Sequence, residues 1–271
     1  MLTALAPDLQ RLIEAGRGTY GVSIYHLESQ SEFSYQQDES FYAASIIKVP
    51  IMAAVFDQAS KGNLSFSEKI TLRAEDKVTG SGLLQNLSPG LELSIYDYTV
   101  LMIIDSDNTA TNILIDRIGT QAIQAAMQEW GLEGSGFYNK ISVIPAKIEN
   151  FNQITPRDMT HLLKQIADGK VVSWRACAEM VQIMKQQKYN EGLPSLLPKQ
   201  DGPVGVLPLW ECAHKTGWIN GTDHDMGLLY FPRNTFAVSV FGKNITDRKD
   251  AHSLMGQIGQ LLYERSALSQ A

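Results

Sequence analysis

Phe41–Phe56 reads FYAASIIKVPIMAAVF, sixteen residues that are apolar or small apart from Ser45 and Lys48. A helix apolar on every side is a buried helix, so the Lys48 ammonium belongs in a low-dielectric place where desolvation favours the neutral amine. A lysine with a lowered pKa can act as a base. Side chains three apart share one helix face, with Cβ atoms about 5–6 Å apart, which brings the Lys48 amine within reach of the Ser45 hydroxyl. Pro50 is tolerated only in a first helical turn, so the helix is expected to begin near Ser45. The Ser45 N–H would then be one of the unpaired donors that can stabilise an oxyanion. The same four residues also fit a helix cap followed by a snorkelling lysine; the apolar surroundings favour the buried amine. No other serine in the chain has a lysine three residues on.

Outward from this helix the hydrophobic period changes twice. Leu5, Leu9, Leu12 and Ile13 form a helical stripe that Gly16 can end, and Tyr20, Val22, Ile24 and then Phe33, Tyr35 alternate as strands do. From Ser45 to about Leu197 helical signals dominate: Thr120 opens a helix that Gly131 closes, and Thr155-Pro156 offers a cap with proline at the first position. Leu209–Thr216, Met226–Phe231 and Thr235–Phe241 again read as strands, with a turn at Pro232-Arg233-Asn234, before a final helix carrying Leu254, Ile258, Leu261 and Leu262. Strand and helix do not alternate, so parallel βαβ winding is excluded. The expected fold is α/β of the α+β type: an antiparallel sheet built from both chain ends and flanked by terminal helices, with an inserted all-helical subdomain. Residues 1–40 and 203–271 would form the sheet part, residues 41–202 the helical part, together one domain with its site in the cleft between them.

The 271 residues carry 23 Lys and Arg against 29 Asp and Glu, a net charge of −6 without a basic run, and nucleic acid is not an expected partner. No uncharged stretch reaches the roughly 18–20 residues of a membrane span, and residues 1–15 lack the charged start and apolar run of an export signal. Cys177 and Cys212 are read as buried free thiols. The five histidines, His26, His161, His214, His224 and His252, show no metal-ligand spacing, so neither metal nor cofactor is expected. No G-x-S-x-G elbow, Walker loop or dinucleotide loop occurs.

Two further stretches matter in combination. Ser106-Asp107-Asn108 falls in a tight turn between apolar helices, and Lys215-Thr216-Gly217 ends a strand. Alone, each has an ordinary reading, the first as a turn or cap and the second as a solvated strand end. Taken with Ser45-x-x-Lys48 they give S-x-x-K, S-D-N and K-T-G in that order, and the chain resembles the class A β-lactamase and penicillin-recognising serine hydrolase family. The likeness runs from Thr19 to the C-terminal helix and includes Gly80-Ser81-Gly82, Asp105–Asn112, Ala213–Gly217 and His224–Gly227.

The resemblance implies roles by position. Ser45 is the acylating nucleophile, Lys48 the base or proton shuttle beside it, and Ser106 the hydroxyl that relays protons between Lys48 and Lys215. Asn108 binds the substrate acylamide and orients Lys48, Lys215 and Thr216 hold the substrate carboxylate, Gly217 gives room, and the Trp218 N–H joins that of Ser45 as the oxyanion hole. One segment departs from the pattern: Phe137–Thr155, FYNKISVIPAKIENFNQIT, lacks the family's Glu-x-x-Leu-Asn. Its only acid, Glu149, is the remaining candidate for activating the deacylating water, yet it lies closer to the Thr155-Pro156 helix start than that role requires. The expected activity is β-lactam opening through an acyl-enzyme. The alternatives are a peptidase or transpeptidase on D-Ala-D-Ala ends, an esterase, and a penicillin-binding sensor that deacylates slowly. The partner is a small β-lactam or D-Ala-D-Ala-like peptide, the protein is expected to be a monomer, and the family's habit implies a periplasmic or secreted setting. His214 and His224 flank the site and are read as residues that pack and hydrogen-bond on the sheet.

Overall fold

The computed structural model describes residues 1–142, 150–203 and 205–268. The stripe Leu2, Leu5, Leu9 and Ile13 is buried on α1 (Leu2–Ala15), which closes at Gly16. Strands β1 (Thr19–His26) and β2 (Ser31–Tyr35) follow. Burial along β1 is nearly continuous because helices cover both of its faces. After β3 (Phe41–Tyr42) comes a short 3₁₀ turn, Ala44–Ile47, and only then α2 (Lys48–Ser60). The helix thus starts at Lys48, later than Pro50 alone suggested, and Ser45 sits in the turn that feeds it.

The middle of the chain supplies β4 (Lys69–Thr71), β5 (Glu92–Ser94), α3 (Ile95–Ile104), α4 (Asn108–Ile118), α5 (Thr120–Glu129), β6 (Gln153–Ile154), α6 (Pro156–Ala167) and α7 (Trp174–Lys185). Beside the helices it therefore carries two short antiparallel strand pairs, β3 with β6 and β4 with β5. Helix α3 begins three residues before Tyr98 because Ser94 and Asp97 cap each other's backbone N–H. Thr155 caps α6 through Asp158 N at 3.2 Å, with Pro156 opening the helix.

The last part holds β7 (Glu211–Ile219), β8 (Thr222–Phe231), β9 (Asn234–Lys243) and α8 (Arg248–Leu268). Strand β7 starts two residues after Leu209 and runs on past Gly217, and β8 starts before Met226, so His224 and Asp225 lie within the sheet. Five antiparallel strands in the order β2-β1-β9-β8-β7 form the main sheet, with Thr19 paired to Lys243 and His26 to Phe236. Leu5, Leu9 and Ile13 of α1 and Leu254, Ile258 and Leu262 of α8 bury one side of it against Val22, Ile24, Val238 and Val240. On the other side α6 lies across β1 and β9, where Thr160 Oγ1 donates to Ser23 O at 3.0 Å and meets Ser239 Oγ at 2.9 Å. Cys177 and Cys212 are both free and buried. Among the described residues no helix is long and apolar enough to cross a membrane.

Candidate active site

Three segments converge at the β7 edge of the sheet. Lys48 and Lys215 are both fully buried, and the Ser106 hydroxyl lies between them, 3.2 Å from Lys48 Nζ and 3.0 Å from Lys215 Nζ. Lys48 Nζ also donates to Ser106 O at 2.6 Å and to Asn108 Oδ1 at 2.8 Å, and Lys215 Nζ donates to Thr216 O at 2.8 Å. Among the described residues neither amine is hydrogen-bonded to a carboxylate.

This arrangement sets the protonation of both amines. Burial, reinforced by the Lys215 charge, holds Lys48 well below the usual lysine range, against the pull of Asp107 and Asp105. Burial lowers Lys215 to about 7, with Asp225 opposing the shift. The neutral amine read from the apolar surroundings of Lys48 is therefore what the fold favours.

The turn carrying Ser106 is tightly specified. Ser106 is left-handed, with φ 51°, and Asp107 caps α4 by accepting from Ala110 N at 2.8 Å while its other oxygen takes Leu84 N at 2.8 Å. Asn108 N donates to Ser81 O at 3.0 Å and Asn108 Nδ2 to Thr79 O at 3.1 Å, so the Gly80-Ser81-Gly82 loop braces the turn. Gly80 and Gly82, at φ 105° and 106°, hold backbone angles that suit glycine, and a side chain on Gly82 would run into Asp107.

Ser45 is half-buried, and its hydroxyl has no hydrogen-bond partner among the described residues. Ala44, just before it, is left-handed at φ 43°, a conformation that non-glycine residues adopt at a cost of about 1–3 kcal/mol. Gly217 brings β7 against this turn: a Cβ there would stand 2.9 Å from both Ser45 N and Ile46 N. The Trp218 side chain is 55% exposed and stacks over the Arg248 guanidinium at 4.2 Å, with Arg248 Nε held by Asp223 at 2.8 Å. Thr216 is half-buried beside Lys215.

Ser45, Lys48, Ser106, Asn108, Lys215, Thr216, Gly217 and Trp218 thus gather at one place, while Glu149 lies outside the described residues. Asn108 Oδ1 accepts from Lys48 Nζ, and one of its two amide hydrogens is donated to Thr79 O. Sequence reasoning missed the strained Ala44 backbone, which carries no signature in residue type. His214 and His224 are buried and hydrogen-bonded on the sheet, as the sequence suggested, but with partners that residue type alone does not identify. His214 Nδ1 donates to Asp225 Oδ1 at 2.9 Å while Asp225 Oδ2 takes Leu193 N at 2.8 Å, and His224 ties β3 to the sheet.

The chain belongs to the β-lactamase enzyme family, whose model matches residues 4–266, and is thereby a β-lactamase-type hydrolase. It is similar to a β-lactamase from Sphaerobacter thermophilus, whose crystal structure superposes with a TM-score of 0.89 at 30% identity over 99% of this chain and 98% of that one. PBP-A gives a TM-score of 0.86 at 29% identity over 100% of this chain and 97% of its own. β-Lactamase L2 of Stenotrophomonas maltophilia is 26% identical over 236 residues, covering 84% of this chain and 74% of that protein.

Proposed function

We propose that the chain is a class A-type serine β-lactamase that opens the β-lactam amide through an acyl-enzyme on Ser45. The observation that carries this reading is the Ser106 hydroxyl held between two buried lysines of lowered pKa, with Gly217 pressed against the Ser45 turn. Neutral Lys48 takes the Ser45 proton as Oγ bonds to the lactam carbonyl carbon. The backbone N–H groups of Ser45 and Trp218 receive the developing oxyanion. The C–N bond then breaks as the ring nitrogen takes a proton passed through Ser106, and Lys48 returns to its neutral form. Lys215 in its charged form and Thr216 hold the substrate carboxylate. An acyl-enzyme complex with penicillin G is known for a leucine-to-glutamate variant of PBP-A, a relative of the same fold at 29% identity.

A second reading has its own support. Residues 137–155 lack the Glu-x-x-Leu-Asn pattern and contain one acid, Glu149, and PBP-A is among the similar folds. Without a base for water the acyl-enzyme persists, as in a penicillin-binding peptidase that acts on D-Ala-D-Ala ends.

Intact-protein mass spectrometry over time with excess benzylpenicillin tests both, with Ser45→Ala as control. A Ser45-dependent adduct that clears while penicilloate accumulates is the expected result for the first reading. A permanent adduct selects the second, and an adduct that survives Ser45→Ala overturns the nucleophile. If Glu149 activates water, Glu149→Gln leaves acylation fast and makes the adduct accumulate; an unchanged adduct lifetime removes it from the mechanism.

A further inference from the structure

His224 is fully buried where β3, β8 and β9 meet. Its Nε2 donates to Tyr42 O at 2.8 Å, and its Nδ1 accepts from Gly242 N at 3.2 Å. A carbonyl can only accept and a backbone N–H can only donate, so these two bonds fix both tautomer and charge: a neutral ring protonated on Nε2. Burial agrees, pushing the ring down to about 4. Phe41 and Phe241 pack edge-on against it, with ring centroids 5.9 and 5.0 Å away.

The position of this ring matters more than its burial. In the β7–β8 register His224 faces Gly217, the residue at which a Cβ would stand 2.9 Å from the Ser45 and Ile46 amides. Tyr42, which accepts from the ring, precedes Ser45 by three residues. Strand β3 is itself only two residues long: it pairs with β6, and Ala43 N donates to Asn152 O at 2.8 Å. It also reaches β9 through Lys243 Nζ donating to Ser40 O at 3.3 Å and through Phe41 packed edge-on against Phe241. One imidazole therefore connects the lead-in to the nucleophile with the strands that carry the opposite wall of the site.

We propose that His224 is a positioning residue for acylation, a strut between Tyr42 and β9 that sets the spacing of the Ser45 and Trp218 amides. The proposal rests on the reading of Ser45 as the acylated residue. On that reading the imidazole holds the oxyanion donors in register. A displacement of about 1 Å at a reacting centre costs on the order of 10²-fold in rate. The substrate carboxylate is held separately, by Lys215 and Thr216, so the loss falls on the chemical step and not on binding.

The test compares His224→Phe, which keeps a ring between Phe41 and Phe241 but removes both hydrogen bonds, with His224→Gln, whose amide can restore the donor to Tyr42 O. Stopped-flow acylation by benzylpenicillin separates the dissociation constant of the first complex from the acylation rate constant, and amide hydrogen exchange reads residues 43–47 directly. His224→Phe is expected to acylate roughly 10- to 100-fold more slowly at an unchanged dissociation constant. The amides of residues 43–47 should exchange faster, and His224→Gln should recover most of both losses. A wild-type acylation rate in His224→Phe, a loss confined to the dissociation constant, unchanged exchange, or a glutamine variant as slow as the phenylalanine one would each overturn the strut. If the wild-type protein forms no adduct, the reading of Ser45 fails by itself. Exchange then decides the strut alone, faster exchange supporting it and unchanged exchange overturning it.

Discussion

The outer face of the sheet and its β7 edge are built on opposite terms. Beneath α1 and α8 the packing is aliphatic, with Leu9, Val22, Ile24, Val238 and Ile258 sealed from solvent. At the β7 edge two lysines are equally sealed, and left-handed Ala44 and Ser106 are held in place by their neighbours. The first region lowers the free energy of the fold wherever it buries a methylene group. The second raises it, since buried amines and strained backbone both oppose folding. At the β7 edge the molecule gives up stability for a preset arrangement of donors and bases.

Ser45→Ala should have the largest effect, complete loss of covalent labelling by penicillin in mass spectra. Lys48→Met should slow acylation about 10²- to 10⁴-fold by removing the base, and yet raise the thermal midpoint, because an apolar chain replaces a buried amine. A lowered midpoint in that variant would break the contrast between the two regions. Leu9→Ala on the outer face should do the reverse, costing about 2–5 kcal/mol in urea unfolding while the folded fraction acylates normally.

The pH dependence of stability sharpens the same point. Lys215 titrates at about 7 in the folded protein against 10.5 ordinarily, so between those values the unfolded chain binds more protons. The stability linked to its neutral form is fully present above 10.5 and is lost as the pH falls toward 7. Urea midpoints should therefore rise from pH 7 to pH 9, and Lys215→Met should flatten that rise. The smallest effect belongs to Thr155→Ala, which removes the α6 cap at about 1 kcal/mol and should leave acylation by the folded protein unchanged.

These two regions were also unequally legible in the sequence. Period-3.6 stripes sufficed for α1 and α8, because one-sided burial of a helix writes itself into residue order. Apolar residues alternating with small or polar ones sufficed for the five strands of the main sheet, whereas the short strands β3 to β6 carried no such pattern. The lowered charge of Lys48 could be read from its apolar neighbours, since burial of a whole helix is also a local signal. Its partnership with Ser106 and Lys215 entered only through resemblance, for it joins residues 58 and 109 positions apart in the chain. The start of α2 was misplaced because a proline in the first turn tolerates several registers, and the 3₁₀ turn that carries Ser45 has no residue signature of its own. The tie from His224 to Tyr42 spans 182 positions and ends on a backbone carbonyl, which any residue type supplies.

Because β1 pairs with β9, from Thr19 with Lys243 to His26 with Phe236, the sheet joins the earliest strand to the last one made. Contacts of such long sequence separation form late and slowly in folding. A growing chain exposes the apolar α2 segment long before the strand bearing Lys215 and Gly217 has been synthesised. The ribosome thus releases the nucleophile well ahead of the wall it works against, and a chain halted before β9 would carry Ser45 and Lys48 with no assembled site around them.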